Sequence, residues 1–485
     1  MHNFKNTGAL MCAVIASIAC SSNDSTTNAV NQSTLDWQAC ESVDVLECTE
    51  FQVPMDYSQP DGEQITLSLI RKPSSGDNKL GALLFNPGGP GGSGVELIEA
   101  FHEFEAIPDS ILAAYDIVSF DPRGVGQSTP VSCVEFGLND IDEYPKDAAA
   151  INTIYDQYAS FASACSGKYG SYLQHLGSLN VVRDMDEIRE AMGEDKLNFI
   201  GYSYGTRLAA LYLQEFPTSS GRIVLDGSVH PDSSLNQMIR DSLPAYQSNI
   251  RSAVAQCTTI ESNCDVNELM SILETRINNL LDDQSVEAQL EFSMLFELLN
   301  LIAEDPAIGM IAASTIYHYI TTLDVSVLIE ASIQFELLGI TDGEEGVDDE
   351  TMTSAVMCAD DDFRPTKDSL VGLLAPYNDL SDIAAEGWIA QSAMCVNWPP
   401  ALEPLPLIAT STAPSSLVIG GTTDAQTPLA WSEAMAQAIG GVYIRSEHLG
   451  HGVVFDNTSA CIDSMVEQFL LDGLAPAQTQ CNSED

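Results

Sequence analysis

Gly201-Tyr202-Ser203-Tyr204-Gly205 has the Gly-x-Ser-x-Gly spacing of a nucleophile elbow. Such a strand-to-helix turn needs small flanking residues, so that the serine hydroxyl stands clear of the backbone. Leu197 to Ile200 read as the strand before it, and Thr206 onward as the helix after it. The first turn of that helix offers unpaired N–H groups and the positive dipole end to a developing oxyanion. Asn86-Pro87-Gly88-Gly89-Pro90-Gly91-Gly92-Ser93-Gly94 is a second element, where glycines let the backbone approach a substrate closely. An oxyanion hole takes one N–H from such a loop and one from the residue after the nucleophile, which selects Gly89 and Tyr204. The Lys-Ser/Thr ending of a phosphate loop is missing, and no dinucleotide glycine spacing follows.

The base follows by elimination. Of the seven histidines only His448 and His451 lie beyond the late strands, where this architecture places its histidine. Gly450-His451-Gly452 is a loop able to bring imidazole to Ser203, so His451 is the expected base and His448 the fallback. The acid should follow a late strand. Asp424 does, at the end of Gly420-Gly421-Thr422-Thr423-Asp424, and its task would be to fix the imidazole tautomer and stabilise the imidazolium.

These residues need a scaffold, and its pattern is visible. Ile65, Leu67 and Leu69 alternate with polar neighbours, as in a half-buried strand. Short apolar runs suited to a buried parallel sheet follow: Gly81 to Phe85, Tyr115 to Phe120, Leu197 to Ile200, Arg222 to Leu225, Leu417 to Ile419 and Val442 to Ile444. Between them Val181, Met185, Ile188 and Met192 share one helical face, Leu208, Leu211 and Tyr212 begin another helix, and Ile462, Met465, Val466 and Phe469 form a last one. This alternation predicts an α/β fold with a doubly wound, mostly parallel sheet. It is interrupted by a helical stretch, exemplified by Leu269, Ile272, Leu273, Ile277, Leu280 and Leu281. The expected organisation is 1–20 as export segment, 21–36 as tether, 37–229 as the first part of the core, 230–406 as a helical insertion and 407–485 as the rest of the core. The acidic run Asp342, Glu344, Glu345, Asp348, Asp349 and Glu350 is expected to be an exposed loop, without calcium-loop spacing.

Composition limits partners and compartment. The chain holds 70 Asp and Glu against 18 Lys and Arg, a formal charge of −52, so nucleic acid and anionic membrane surfaces would be repelled. Lys5 followed by the mostly apolar Ala9 to Ala19 reads as an export signal too short to span a bilayer. Its end resembles a bacterial lipoprotein processing site, in which Cys20 would be the lipidated first residue and Ser21 to Ser33 the tether. An ordinary signal peptide cleaved near Ala19 is the alternative. Of twelve cysteines, Cys12 and Cys20 fall in that segment, and ten remain. Their even number, with the close pairs Cys40 and Cys48, Cys257 and Cys264, and Cys461 and Cys481, suggests up to five disulfides in an oxidising compartment. No spacing fits zinc, and no metal or cofactor is expected.

The elbow Gly-Tyr-Ser-Tyr-Gly-Thr, the glycine loop, Asp121-Pro122-Arg123-Gly124-Val125-Gly126-Gln127-Ser128 and Gly-His-Gly together resemble secreted tripeptidyl aminopeptidases. These belong with the proline iminopeptidases among α/β-hydrolase serine peptidases. Pro87 stands where proline iminopeptidases usually carry His, and Cys358-Ala359-Asp360 and Cys395-Val396-Asn397-Trp398-Pro399 are also reminiscent of the tripeptidyl branch. The resemblance implies an α/β-hydrolase fold whose helical insertion is a cap, and an exopeptidase releasing short peptides from free N-termini. It makes Cys358–Cys395 a candidate bridge stapling the cap. It also makes Asp360 a candidate partner for the substrate α-ammonium group, with Asp361 and Asp362 as neighbours that could serve instead, or all three as surface charges. Peptides are the expected substrates, with membrane contact only through the lipid. The competing functions are a carboxylic-ester hydrolase or lipase on the same fold and a non-catalytic binding protein on a hydrolase scaffold.

Overall fold

The computed structural model describes residues 35–482 except 138–143, 233, 261–263, 284, 305, 338–346, 382, 384, 410–415, 448 and 449. Lys5, the Ala9 to Ala19 run, Cys20, the tether to Ser33 and His448 lie outside the described residues, as do Asp342, Glu344 and Glu345. Residues 347–350 open the helix Val347–Asp360, so the end of the acidic run is helical where a loop was expected.

Among the described residues ten strands form one sheet: β1 Gln38–Ala39, β2 Glu47–Pro54, β3 Gln64–Lys72, β4 Gly81–Asn86, β5 Tyr115–Phe120, β6 Leu197–Tyr202, β7 Ser220–Asp226, β8 Ser416–Gly421, β9 Val442–Ser446 and β10 Gln480–Cys481. Their order is β1-β2-β3-β5-β4-β6-β7-β8-β9-β10. The pairs among β1, β2, β3 and β5 are antiparallel, and those from β5 through β4 and β6 to β10 are parallel. The apolar runs become central strands because both of their faces are covered. Leu84, Val118, Phe199 and Leu225 pack on one side with Met185 and Leu208. Leu83, Phe85, Ile117, Ile200 and Val224 pack on the other with Ile98, Ile462 and Phe469. The period of two along each strand sends neighbours to opposite faces. No expected strand or helix fails to form.

Between β7 and β8 the described residues are helical or irregular. This insertion has two parts. Residues of the helices Leu235–Ala255, Val266–Asp282, Val286–Glu304, Pro306–Thr322 and Ser326–Leu337 share a core of their own, with Leu273, Leu295, Ile302 and Tyr319 at its centre. Met352, Val356, Cys358, Tyr377, Cys395 and Trp398 instead join the core on one face of the sheet. There Trp398 stacks on Phe161 of the helix Ala148–Tyr169, their ring centroids 5.9 Å apart. That long helix has no counterpart in the sequence reading.

All ten cysteines between Cys40 and Cys481 are paired, as Cys40–Cys48, Cys133–Cys165, Cys257–Cys264, Cys358–Cys395 and Cys461–Cys481. Among the described residues no helix is long and apolar enough to cross a membrane.

Candidate active site

Ser203 follows β6 directly, with φ at +51°, and the helix Gly205–Glu215 begins two residues later. A positive φ in a non-glycine residue is strained, and neighbours hold it in place. The Ser203 N–H donates to Asp226 O at 2.9 Å, while Ser203 O accepts from Thr206 N at 2.9 Å and Thr206 Oγ1 at 2.5 Å. The elbow also demands a small residue before it: a Cβ on Gly201 would lie 2.3 Å from Gly205 O.

The glycine loop presses against this turn. Gly88 has φ +100°, and a Cβ there would meet Tyr202 O at 2.6 Å and Ser203 Cβ at 2.9 Å. Only glycine gives both that conformation and that approach. Two anchors fix the loop. Asn86 Oδ1 accepts from Gly88 N at 3.1 Å, and Asp121 Oδ1 accepts from Ser93 Oγ at 2.6 Å. The Asp-Pro-Arg-Gly segment thus has a structural task, since Arg123 in turn makes a fully buried fork with Asp184 at 2.6 and 2.7 Å. Gly89 and Tyr204 line the same cavity as Ser203.

Asp424 follows β8 and is buried. Its Oδ1 accepts from Thr427 N at 2.8 Å, and its Oδ2 accepts from Thr427 Oγ1 at 2.6 Å and faces His451 Nδ1 at 2.8 Å. A carboxylate only accepts, so Nδ1 carries the hydrogen and Nε2 is left as the basic nitrogen. Burial opposes charge on the imidazole, but Asp424 at contact, with Asp226 and Glu304 farther off, outweighs it and holds the histidine above its ordinary value. Gly227 makes room for the ring, since a Cβ there would lie 3.0 Å from His451 Cε1.

Asp226, at the end of β7, joins the two halves of this arrangement and was not singled out in the sequence. Its backbone oxygen takes the Ser203 N–H, while its Oδ2 accepts from Val453 N at 2.7 Å and Val454 N at 2.8 Å, directly after the His451 loop. Burial pushes its carboxyl up to about 6, against the opposing pull of these N–H groups and of His451. The signal available was its place at the carboxyl end of an apolar strand, where α/β sheets gather their functional loops.

The cavity over Ser203 has a volume of about 250 Å³. Leu235, Met238, Ile239, Ser242 and Tyr246 line it from one face of the helix Leu235–Ala255 at helical spacing. Met357, Trp388, Met394 and Trp431 add further apolar surface. Among the described residues the carboxylate lining it is Glu304, at the end of the helix Val286–Glu304, which accepts from Tyr246 Oη at 2.8 Å. Glu304 sits among many acids in the sequence, with no motif to distinguish it.

Asp360 lies elsewhere. Its Oδ1 accepts from Ser178 N at 2.8 Å, its Oδ2 accepts from Ser178 Oγ, and Arg207 Nη1 stands 3.8 Å away. The carboxylate, on a side chain 2% exposed, lies behind Tyr204, whose hydroxyl meets Ser178 Oγ at 2.5 Å. Asp360 lines a neighbouring pocket with His175 and Arg183, rather than the cavity over Ser203. Met357 reaches the cleft from Val347–Asp360, whereas Asp360 is the last residue of that helix and its carboxylate is taken up by Ser178. Asp361 is also committed, its Oδ2 accepting from Leu235 N at 2.6 Å and its Oδ1 from Phe363 N at 2.7 Å.

A family model described as alpha/beta hydrolase fold matches residues 81–298, and one described as TAP-like protein matches residues 381–481. Carboxylesterase B of Mycobacterium tuberculosis is 30% identical over 474 residues, covering 92% of this chain and 89% of the relative. Serine protease Hip1 of the same species is 29% identical over 457 residues, covering 88% of this chain and 86% of the relative. Tripeptidyl aminopeptidase of Streptomyces lividans is 38% identical over 233 residues, covering 46% of this chain and 42% of the relative.

Proposed function

The chain belongs to the α/β-hydrolase family of serine hydrolases, with a TAP-like C-terminal part, and from this we propose that it is an exported aminopeptidase acting on short peptides. Ser203 attacks the scissile carbonyl while His451 Nε2 takes its proton. The Gly89 and Tyr204 amides receive the oxyanion, and Asp424 stabilises the imidazolium. His451 then returns the proton to the leaving amine, and water, deprotonated by the same nitrogen, releases the acyl group.

The observation that carries the peptidase reading is Glu304, a carboxylate lining the cavity that holds Ser203. A substrate α-ammonium group would pair with it at short range in a partly desolvated site. A blocked, neutral N-terminus would forgo that charge pairing. Glu304 is therefore assigned the role for which the sequence suggested Asp360. Relatives named as a serine protease and a tripeptidyl aminopeptidase support this reading. The mostly apolar lining and the relative named carboxylesterase B favour a second one, ester hydrolysis on the same triad.

Export is supported by the five disulfides, which persist in oxidising compartments. Lipidation of Cys20 is part of the proposal, and the intact mass of membrane-extracted protein tests it: an unmodified cysteine would dispose of the anchor. A panel of free and N-acetylated chromogenic peptides beside short and long acyl esters separates the two activities. Rapid cleavage of free-N-terminal peptides alone supports the aminopeptidase, whereas esters without peptides would leave the esterase.

A further inference from the structure

Arg207 lies in the first turn of the helix that follows Ser203, and it lines the same cavity. Its side chain is 9% exposed, and its one ionic neighbour among the described residues is Asp360 at 3.8 Å. That separation permits Coulomb attraction but no hydrogen bond. The guanidinium makes no hydrogen bond to any described residue. A guanidinium offers five N–H donors, and none of the Arg207 nitrogens is among the fully enclosed atoms that lack a partner, so these donors stay open to a ligand. Asp360 does not supply the acceptor: its oxygens accept from Ser178, and the nearer one stays 3.8 Å from the guanidinium. Arg123 shows the alternative within the same chain: it is fully buried, and its donors are taken by Asp184 and by the carbonyl oxygens of Pro54, Met55 and His175.

We propose that Arg207 is a substrate-binding residue whose unfilled fork receives a carboxylate of the substrate. The cavity then presents a carboxylate, Glu304, and a guanidinium, Arg207, in a space of about 250 Å³. Opposite charges in so small a volume suit a short zwitterion. The substrate carboxylate has two possible sources, the C-terminus of a short peptide and an acidic side chain, and both present the planar pair of oxygens that a guanidinium binds through two parallel bonds. The apolar surface from Met238, Met357 and Met394 holds the portion between the charged ends. The net −52 of the chain repels anions at long range, so acceptance of a carboxylate here is a local property of this fork. The assignment rests on the peptide reading of the cleft, and the test keeps the two apart.

The test compares substrate pairs on the unmodified protein and on Arg207→Lys, Arg207→Met and the double variant Arg207→Met/Asp360→Asn. One pair is a short peptide as free acid and as C-terminal amide, and another carries Glu or Gln. A third is a p-nitrophenyl ester whose acyl chain ends in a carboxylate or, at equal length, in a methyl group. The expected result is that the acid-to-neutral ratio of kcat/KM falls by about ten- to a hundredfold in Arg207→Met. Arg207→Lys, which keeps charge but not the fork, should lie between. The double variant removes both members of the ion pair, so it carries the test if Asp360 left alone unfolds the single one. On the unmodified protein, a free-acid product peptide should inhibit more tightly than its amide. Ratios unchanged by loss of Arg207 in a variant that melts normally, or equal inhibition by acid and amide, would overturn the proposal. Peptides left uncut while the ester ratio still falls would remove the peptide reading and leave the carboxylate site. The acid–amide and Glu–Gln arms show which carboxylate is bound.

Discussion

The loops at the carboxyl edge of the sheet and the helices between β7 and β8 face each other across one cleft, and they are built differently. At the sheet edge each reactive group is held by backbone. Ser203 hangs on Asp226 O, the His451 loop hangs on the Asp226 carboxylate, Asp424 is seated on Thr427 N, and Gly88 leans against the elbow. Strands fix these groups because each lies at the end of a paired element. On the helical side the lining comes from side chains projecting off packed helices: one face of Leu235–Ala255, Glu304 at a helix end, and Met357 and Met394 beside the Cys358–Cys395 bridge. In the proposed function the first region supplies a reaction that any ester or amide can enter, and the second decides which molecule reaches it.

The sharpest way to break this division is to remove the chemistry. Ser203→Ala and His451→Ala should each lower kcat by about four orders of magnitude or more. The loss should be the same on a peptide and on a small ester, measured by steady-state kinetics. A large loss on one substrate class alone would put part of the selection at the sheet edge. Asp226 should show how much of the chemistry is positioning. Asp226→Ala frees the His451 loop and should lower kcat about ten- to a hundredfold with little change in KM. Asp226→Asn keeps an oxygen to accept the Val453 and Val454 N–H groups and should cost less.

The pH profile sharpens the same region. His451 must be neutral to accept the serine proton, and its pKa is raised above the ordinary histidine value because Asp424 outweighs the opposing effect of burial. Activity should therefore be lost as pH falls through a value above about 6.5. An acid limb below that point would mean that the base is another group. On the helical side a smaller effect is expected from replacing Cys358 and Cys395 together by serine. The bridge closes 37 residues and should contribute about 3–4 kcal/mol in the chain-entropy model, read by urea melts of oxidised protein. Because Met357 and Met394 adjoin it, KM should rise more than kcat falls.

Legibility followed the same line. Runs such as Leu197 to Ile200 and Leu417 to Ile419 announce buried parallel strands, and the order of serine, acid and histidine after them is a property of topology. The sheet-edge candidates could be named because each follows a strand. The short β1 and β10 and the Ala- and Ser-rich helix Ala148–Tyr169 lack a strong apolar period and went unseen. Glu304 is one of 70 acidic residues, and what brings it into the cleft is the packing of Leu235–Ala255 against Val286–Glu304. Asp360 was chosen for its place after Cys358. The bridge to Cys395 is present, yet the carboxylate at the helix end is held by Ser178 beside a neighbouring pocket.

The central claim is that the helical side selects a free N-terminus through Glu304 while the sheet edge cleaves. It is tested most directly by measuring kcat/KM for a free-N-terminal peptide, its N-acetylated counterpart and a small neutral ester, on the unmodified protein and on Glu304→Gln. The account predicts that the unmodified protein strongly prefers the free peptide. Glu304→Gln should lower kcat/KM for that peptide by about ten- to a thousandfold, with a far smaller fall for the ester. Rapid cleavage of the acetylated peptide by the unmodified protein, or equal losses on peptide and ester in the variant, would contradict it.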